Sequence, residues 1–209
     1  MSITRQNLSI IIVSYKSEHV IENCINSVDN QIEIIIIENS NNEEFKKNIE
    51  KKYSNVKCIL SPENLGMGAG NNLGLKHANT DYVLILNPDV ILENNTINEL
   101  IKASNIIDSF GIIAPIINSG KNMNFKLFDK NKIDTDNSRP FLVKSVDGFA
   151  MLLNIKKMNQ IDKFKNFNFF DENIFLYLEN DDLCKRLIDS NVNIYVAPKS
   201  KINHLGGKA

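Results

Sequence analysis

Four short apolar runs, each followed by a stretch with helical periodicity, constrain this chain more than any other feature. Leu8–Ser14, Ile34–Ile37, Val56–Leu60 and Tyr82–Leu86 are rich in Ile, Val and Leu. They are too short for helices and carry little polar alternation, the pattern of strands buried on both faces of a parallel sheet. Glu18–Val28 places Val20, Ile21, Cys24, Ile25 and Val28 on one helical face. Ser40 or Asn41 is expected to cap a helix reaching Lys52, with Glu43 and Glu44 favourable in its first turn. A third helix opens at Gly66–Gly74, and Asn94 or Asn95 caps a fourth that ends near Ile107. This order predicts an α/β fold with a mostly parallel central sheet, right-handed crossovers and helices on both faces. Such sheets bind ligands beyond the carboxyl ends of their strands. Ser14-Tyr15-Lys16, Glu38-Asn39-Ser40 and Asn87-Pro88-Asp89 all fall at such ends.

The second half is less regular. Gly111–Ile117, Asp147–Asn154 (entered through Gly148) and Val192–Val196 read as strands, and Asn180–Ser190 as a helix. Asn118–Arg139 reads as a long polar excursion or a hairpin near Asn124–Phe128, and Ile202–Gly207 as a tail. With 209 residues and neither a repeat nor a linker, one domain with two functional halves is expected. Lys+Arg 24 against Asp+Glu 25 gives a net charge of −1, which argues against nucleic acid as the main partner. Cys24, Cys58 and Cys184 are widely spaced and odd in number, so they predict no disulfide framework or metal knuckle and fit a reducing cytoplasm. No apolar run approaches the length of a membrane span, and Met1–Arg5 shows no signal-peptide pattern.

Three clusters suggest chemistry. The segment Glu63–Gly74 holds Gly66, Gly68, Gly70 and Gly74 at the start of a helix, where backbone can approach a phosphate or ribose closely. Its spacing matches neither a P-loop nor GxGxxG. Asp89 closes a buried strand through Asn87-Pro88, a position suited to a hard divalent cation that shares diphosphate oxygens; a plain type I turn is the alternative. Glu179, Asp181 and Asp182 lie within four residues, and carboxylates this close raise at least one pKa, as a general base requires. The alternative there is an acidic first helical turn.

Taken in order, Ile11–Tyr15, Ile37–Ser40, Glu63–Gly74, Leu84–Val90, Gly148–Met151, Phe170–Tyr177, Glu179–Cys184 and His204 resemble the family 2 glycosyltransferases with the GT-A fold. The similarity is to the rhamnosyltransferase-like branch of bacterial surface-polysaccharide assembly. The resemblance implies a Rossmann-like sheet and an inverting transfer from a UDP- or TDP-linked sugar to a hydroxyl of a glycan or lipid-linked acceptor. Residues 1–90 would form the nucleotide-sugar half and 91–209 the acceptor and catalytic half. Ser14, Tyr15, Glu38, Asn64, Gly66, Gly70, Asn71, Asn87 and Asp89 would contact the donor. Asp89 and His204 would hold Mg²⁺ or Mn²⁺. Asp147-Gly148 would line the acceptor side, and loops around Asn118–Arg139 and after His204 would close over the donor. A cytoplasmic enzyme with peripheral contact at the inner membrane face, assembled as a homodimer, completes the expectation.

The chain departs from the pattern in places. Family members usually carry Asp where Glu38 stands. Asn180 replaces the carboxylate that commonly acts as base, and an amide accepts no proton, so the role falls to Asp181, Asp182 or Glu179, in that order. Many relatives continue well past the His. A non-catalytic nucleotide-sugar-binding subunit is the competing expectation, distinguished by donor binding without turnover. A sugar-phosphate nucleotidyltransferase would show a basic glycine-rich loop at the first strand, where this chain reads Val13-Ser14-Tyr15-Lys16.

Overall fold

The computed structural model describes residues 3–118, 123–129 and 138–206. The expected β-α alternation is present: β1 Leu8–Ser14, α1 Glu18–Asn26, β2 Glu33–Glu38, α2 Glu43–Lys52, β3 Val56–Leu60, α3 Gly66–His77 and β4 Tyr82–Leu86. There follow β5 Val90–Leu92, α4 Thr96–Ile106, β6 Ile112–Ile117, β7 Phe125–Lys126, β8 Phe141–Leu142, β9 Ser145–Val146, β10 Ala150–Asn154, α5 Ile155–Met158, α6 Glu179–Asp189 and β11 Ile194–His204.

The main sheet runs β3-β2-β1-β4-β10-β6-β11-β5, with β8 on the edge of β11. Its first four strands are parallel, Ile11 facing Ile35 on β2 and Ile85 on β4. The other half is mixed. β10 enters antiparallel between β4 and β6, β6 and β11 are parallel, and β5 is antiparallel to β11. The mostly parallel expectation therefore describes the N-terminal half. A crossover helix enforces parallel pairing, and no such helix separates β4 from β5 or leads directly into β10.

Period-two alternation splits the core. Ile10, Ile12, Ile34, Ile36, Leu84 and Leu86 face α1, α2 and α4, whereas Ile11, Val13, Ile35, Ile37, Val83 and Ile85 face α3, α5 and α6. Each fully buried side chain of this kind contributes about 1.5–3 kcal/mol. α3 lies unusually close to β1, because a Cβ on Gly74 would sit 2.6 Å from Ile11 and one on Gly70 2.9 Å from Val13.

Several local expectations are corrected. Asn42, rather than Ser40 or Asn41, caps α2, its Oδ1 accepting from Phe45 N at 2.9 Å, while Asn41 takes a left-handed φ of 56°. Residues 202–204 are not a tail: β11 resumes after a register shift between Ala197 and Lys201 and pairs Ile202 with Leu92 and His204 with Val90. Pro198 within the shifted stretch explains the early end expected for this strand. The expected hairpin at 124–128 is instead a long-range ladder, β7 pairing with β9 through Phe125–Val146. The rest of the expected excursion falls largely on 119–122 and 130–137, and the expected closing loop after His204 largely on 207–209, outside the described residues.

Candidate active site

The carboxyl ends of β1, β2 and β4 converge on a cleft of about 310 Å³. Val13, Tyr15 and Ser17 come from β1 and the loop after it, Asn39 from the end of β2, Asn64, Gly66 and Met67 from the start of α3, and Asn87, Pro88 and Asp89 from the end of β4. Phe175, Leu176 and Tyr177 form one wall, and His204 at the end of β11 closes the far side. The cleft thus gathers Tyr15, Asn64, Gly66, Asn87, Asp89 and His204 from the residues expected.

At its polar end, Asp89 is 2% exposed and His204 Nε2 lies 3.2 Å from its Oδ1. The His204 ring stacks on Phe149, centroids 4.2 Å apart. Asn87 N donates to Phe149 O at 2.9 Å, which ties the end of β4 to the start of β10. Cys24 lies beneath, its Sγ 3.7 Å from Asn87 O, and burial, with Asp89 adding, pushes its thiol up to about 12. That thiol stays neutral and inert. One carboxylate and one imidazole leave most of a coordination sphere open. This suits a divalent cation that completes its shell with diphosphate oxygens. Among the described residues no group of three His, Cys, Asp or Glu could hold a metal alone.

The glycine-rich start of α3 behaves differently from the expected phosphate cradle. Gly66 has φ +75°, and a Cβ there would lie 2.1 Å from Phe175 O. Gly66 N donates to Asn64 Oδ1 at 3.1 Å and Met67 N to Phe175 O at 2.9 Å. The first two amides of the helix are therefore engaged by the protein itself. Asn72 clamps the segment that leads into the 175–177 wall: its Oδ1 accepts from Phe170 N at 2.9 Å, and its Nδ2 donates to Phe170 O at 2.9 Å and to Glu172 Oε1 at 3.0 Å.

Other expected donor contacts lie behind the cleft surface. Glu38 is 1% exposed, and its carboxylate accepts from Ser40 N, Ser40 Oγ at 2.6 Å and Asn42 N at 2.7 Å. It shapes the loop after β2 rather than facing the cleft. Ser14 is buried, its carbonyl accepting from Asn39 N at 2.8 Å. Gly70 is packed on Val13. Asn71 is 2% exposed, and among the described residues its Oδ1 has no partner.

The acidic cluster stands outside the cleft, at the start of α6. Asp181 accepts from Lys126 Nζ with both oxygens, at 3.0 and 2.9 Å. Asp182 accepts from Arg186 Nε at 2.7 Å. Glu179 is 7% exposed, and burial, reinforced by Asp181, lifts its carboxyl above the ordinary range. Asn180 donates to Val146 O at 2.8 Å and packs against Gly148. Sequence reasoning missed the individual roles of Asn39, Asn72 and Lys126 and the wall at 175–177. Asn39 was legible within its strand-end triplet, and the wall as an aromatic stretch; Lys126 carried no local signal.

A family model described as Glycosyl transferase family 2 matches residues 9–176. The chain is 28% identical to the low-salt glycan biosynthesis hexosyltransferase Agl10 of Haloferax volcanii, over 90% of its own length and 64% of that protein. It is 26% identical to the rhamnosyltransferase WbbL of Escherichia coli, over 90% of its length and 80% of that protein. Among solved structures, GalNAc-T7 with UDP, GalNAc and Mn²⁺ superposes with a TM-score of 0.73 at 14% identity, over 95% of this chain and 43% of that one. The chain thus spans about two thirds of Agl10 and less than half of GalNAc-T7, and the shared fold is GT-A.

Proposed function

The chain belongs to glycosyl transferase family 2, and we propose that it falls in the rhamnosyltransferase-like branch and transfers a sugar from a UDP- or TDP-linked donor to a hydroxyl of a glycan or lipid-linked acceptor, with inversion. The observation that carries this reading is the Asp89–His204 pair, 3.2 Å apart at the end of a cleft built on the carboxyl ends of β1, β2 and β4. The donor half, residues 1–90, supplies Tyr15, Asn39, Asn64 and Asn87 to the nucleotide. Tyr15, 45% exposed at the rim, offers an aromatic face for a base to stack on. Asp89 and His204 would hold Mg²⁺ or Mn²⁺, a reading that the solved structure of GalNAc-T7 with UDP, GalNAc and Mn²⁺ supports. A cation there would supply charge neutralisation of the leaving diphosphate.

The 175–177 wall, which lines the cleft, would limit water access to the reacting carbon. A carboxylate of the 91–209 half takes the acceptor proton from the face opposite the diphosphate, giving a single displacement. No helix among the described residues is long and apolar enough to cross a membrane. We propose separately that a lipid-linked acceptor would be met by peripheral contact at the cytoplasmic face.

A thermal-shift screen of UDP, TDP, GDP and CMP, each with Mn²⁺, Mg²⁺ or EDTA, tests the reading. A nucleotide at 100 times its Kd stabilises by about 2.7 kcal/mol. Metal-dependent stabilisation by UDP or TDP, lost in Asp89→Ala, is the expected result. The absence of any nucleotide shift contradicts it.

A further inference from the structure

Four carboxylates gather where β9 leads into β10 and α6 begins, and their surroundings differ. Asp182 is engaged by Arg186, and Asp181 is held through both oxygens by Lys126. Glu179 is buried, and its Oε2 is sealed from solvent. Asp147 alone is exposed, and among the described residues its carboxylate makes no hydrogen bond or ion pair. A general base needs both properties, since it must reach the hydroxyl and have a lone pair to receive the proton.

The backbone places Asp147 in the connection between β9 and β10, close in sequence to a residue that packs on the cleft residue His204. Its N–H donates to Asn124 O at 2.9 Å, which anchors the corner to the loop before β7. Two residues further on, Phe149 stacks on His204 and accepts from Asn87 N. The intervening Gly148 has no side chain to fill the space beside Asn180, where a Cβ would lie 3.2 Å from the Asn180 Cβ. Asp147 therefore sits in the β9–β10 connection, two residues from the ring that stacks on His204, whereas Asp181 and Asp182 are turned into ion pairs.

We propose that Asp147 is the general base that deprotonates the acceptor hydroxyl. The proposal rests on the transferase reading and names the residue that reading leaves open. The hydroxyl proton passes to the Asp147 carboxylate, and the oxygen lone pair forms the new bond to the anomeric carbon. The bond from that carbon to the diphosphate breaks, and its electron pair leaves on the diphosphate oxygen. Desolvation by the surrounding protein atoms raises the Asp147 carboxyl above the ordinary range although its edge reaches solvent, Asp181 on α6 adds to the rise, and Lys126 on β7 and His204 on β11 oppose it. A carboxyl raised in this way is a stronger base once ionised.

The test measures free nucleoside diphosphate released from a panel of UDP- and TDP-sugars with Mn²⁺, using water and octyl glycosides as acceptors. Wild type, Asp147→Asn, Asp147→Ser and Asp181→Asn are compared, and a UDP or TDP thermal shift on each reports folding and donor binding. Asp147→Asn and Asp147→Ser are expected to lose about 100-fold or more in turnover while keeping the nucleotide shift. Wild-type turnover in both Asp147 variants, with the loss confined to Asp181→Asn, would overturn the proposal and leave the transferase reading standing. Wild-type protein that releases no diphosphate from any donor overturns both.

Discussion

The two halves of the sheet are built by different rules. From β1 to β4 every strand is parallel to its neighbour in that half and joined to the next by a crossover helix, and all but the edge strand β3, which exposes Lys57, are buried on both faces. From β5 to β11 the strands are of mixed direction, several are two or three residues long, and partners come from distant parts of the chain. The first half sets out a row of strand ends, and the second folds back across them to supply Phe149, the 175–177 wall and His204. The cleft exists only where the halves meet, so a lesion in the first should cost stability and a lesion at the junction should cost ligand binding.

The largest stability effect is expected from the first half. Ile11 is fully buried beneath Gly74, so Ile11→Ala should destabilise by about 2–5 kcal/mol, read as a lower urea midpoint at unchanged slope. A comparable loss from truncating the exposed Leu142 instead would break the contrast. At the junction, Gly66→Ala puts a Cβ against Phe175 O in a left-handed conformation. It should cost about 1–3 kcal/mol and weaken nucleotide binding at the same time. Asn72→Ala removes three hydrogen bonds that clamp Phe170 and Glu172 ahead of the 175–177 wall, leaving buried backbone groups of Phe170 without their partner. About 1–3 kcal/mol should be lost, with faster amide exchange at Phe170 than at β1. Retained protection at Phe170 would argue that the wall stands without the clamp.

The smallest effect concerns pH. Burial raises the Glu179 carboxyl, so the folded chain holds a proton there more tightly than the unfolded one. The folded state then binds more protons, and stability falls as pH rises above about 4.5, the ordinary value. Glu179→Gln should flatten that part of the stability curve. An unchanged slope would mean that Glu179 is hydrated in solution.

The contrast also explains what could be read from residues alone. Period-two apolar runs and intervening helical faces are local signals, and β1 to β4 with α1 to α3 follow them to within a residue or two. Asp89 was legible because it ends a buried strand. The β7–β9 ladder, the Lys126–Asp181 pair and the return of β11 to β5 are contacts between distant segments, with no local periodicity to announce them. Glu38 illustrates the opposite failure: its place at a strand end pointed to a ligand, yet three donors of its own loop take up its carboxylate. A strand-end position shows where a side chain starts and not which partner reaches it first.

The central claim is that Asp89 from the first half and His204 from the second form one metal-dependent nucleotide site. Calorimetric titration of UDP and TDP into wild type, Asp89→Ala, His204→Ala and the double variant, with Mn²⁺ and with EDTA, tests it most directly. Tighter binding in Mn²⁺ is expected for wild type only, with the two single losses non-additive in the double variant. Equal affinity in Mn²⁺ and EDTA, or independent additive losses, would contradict it.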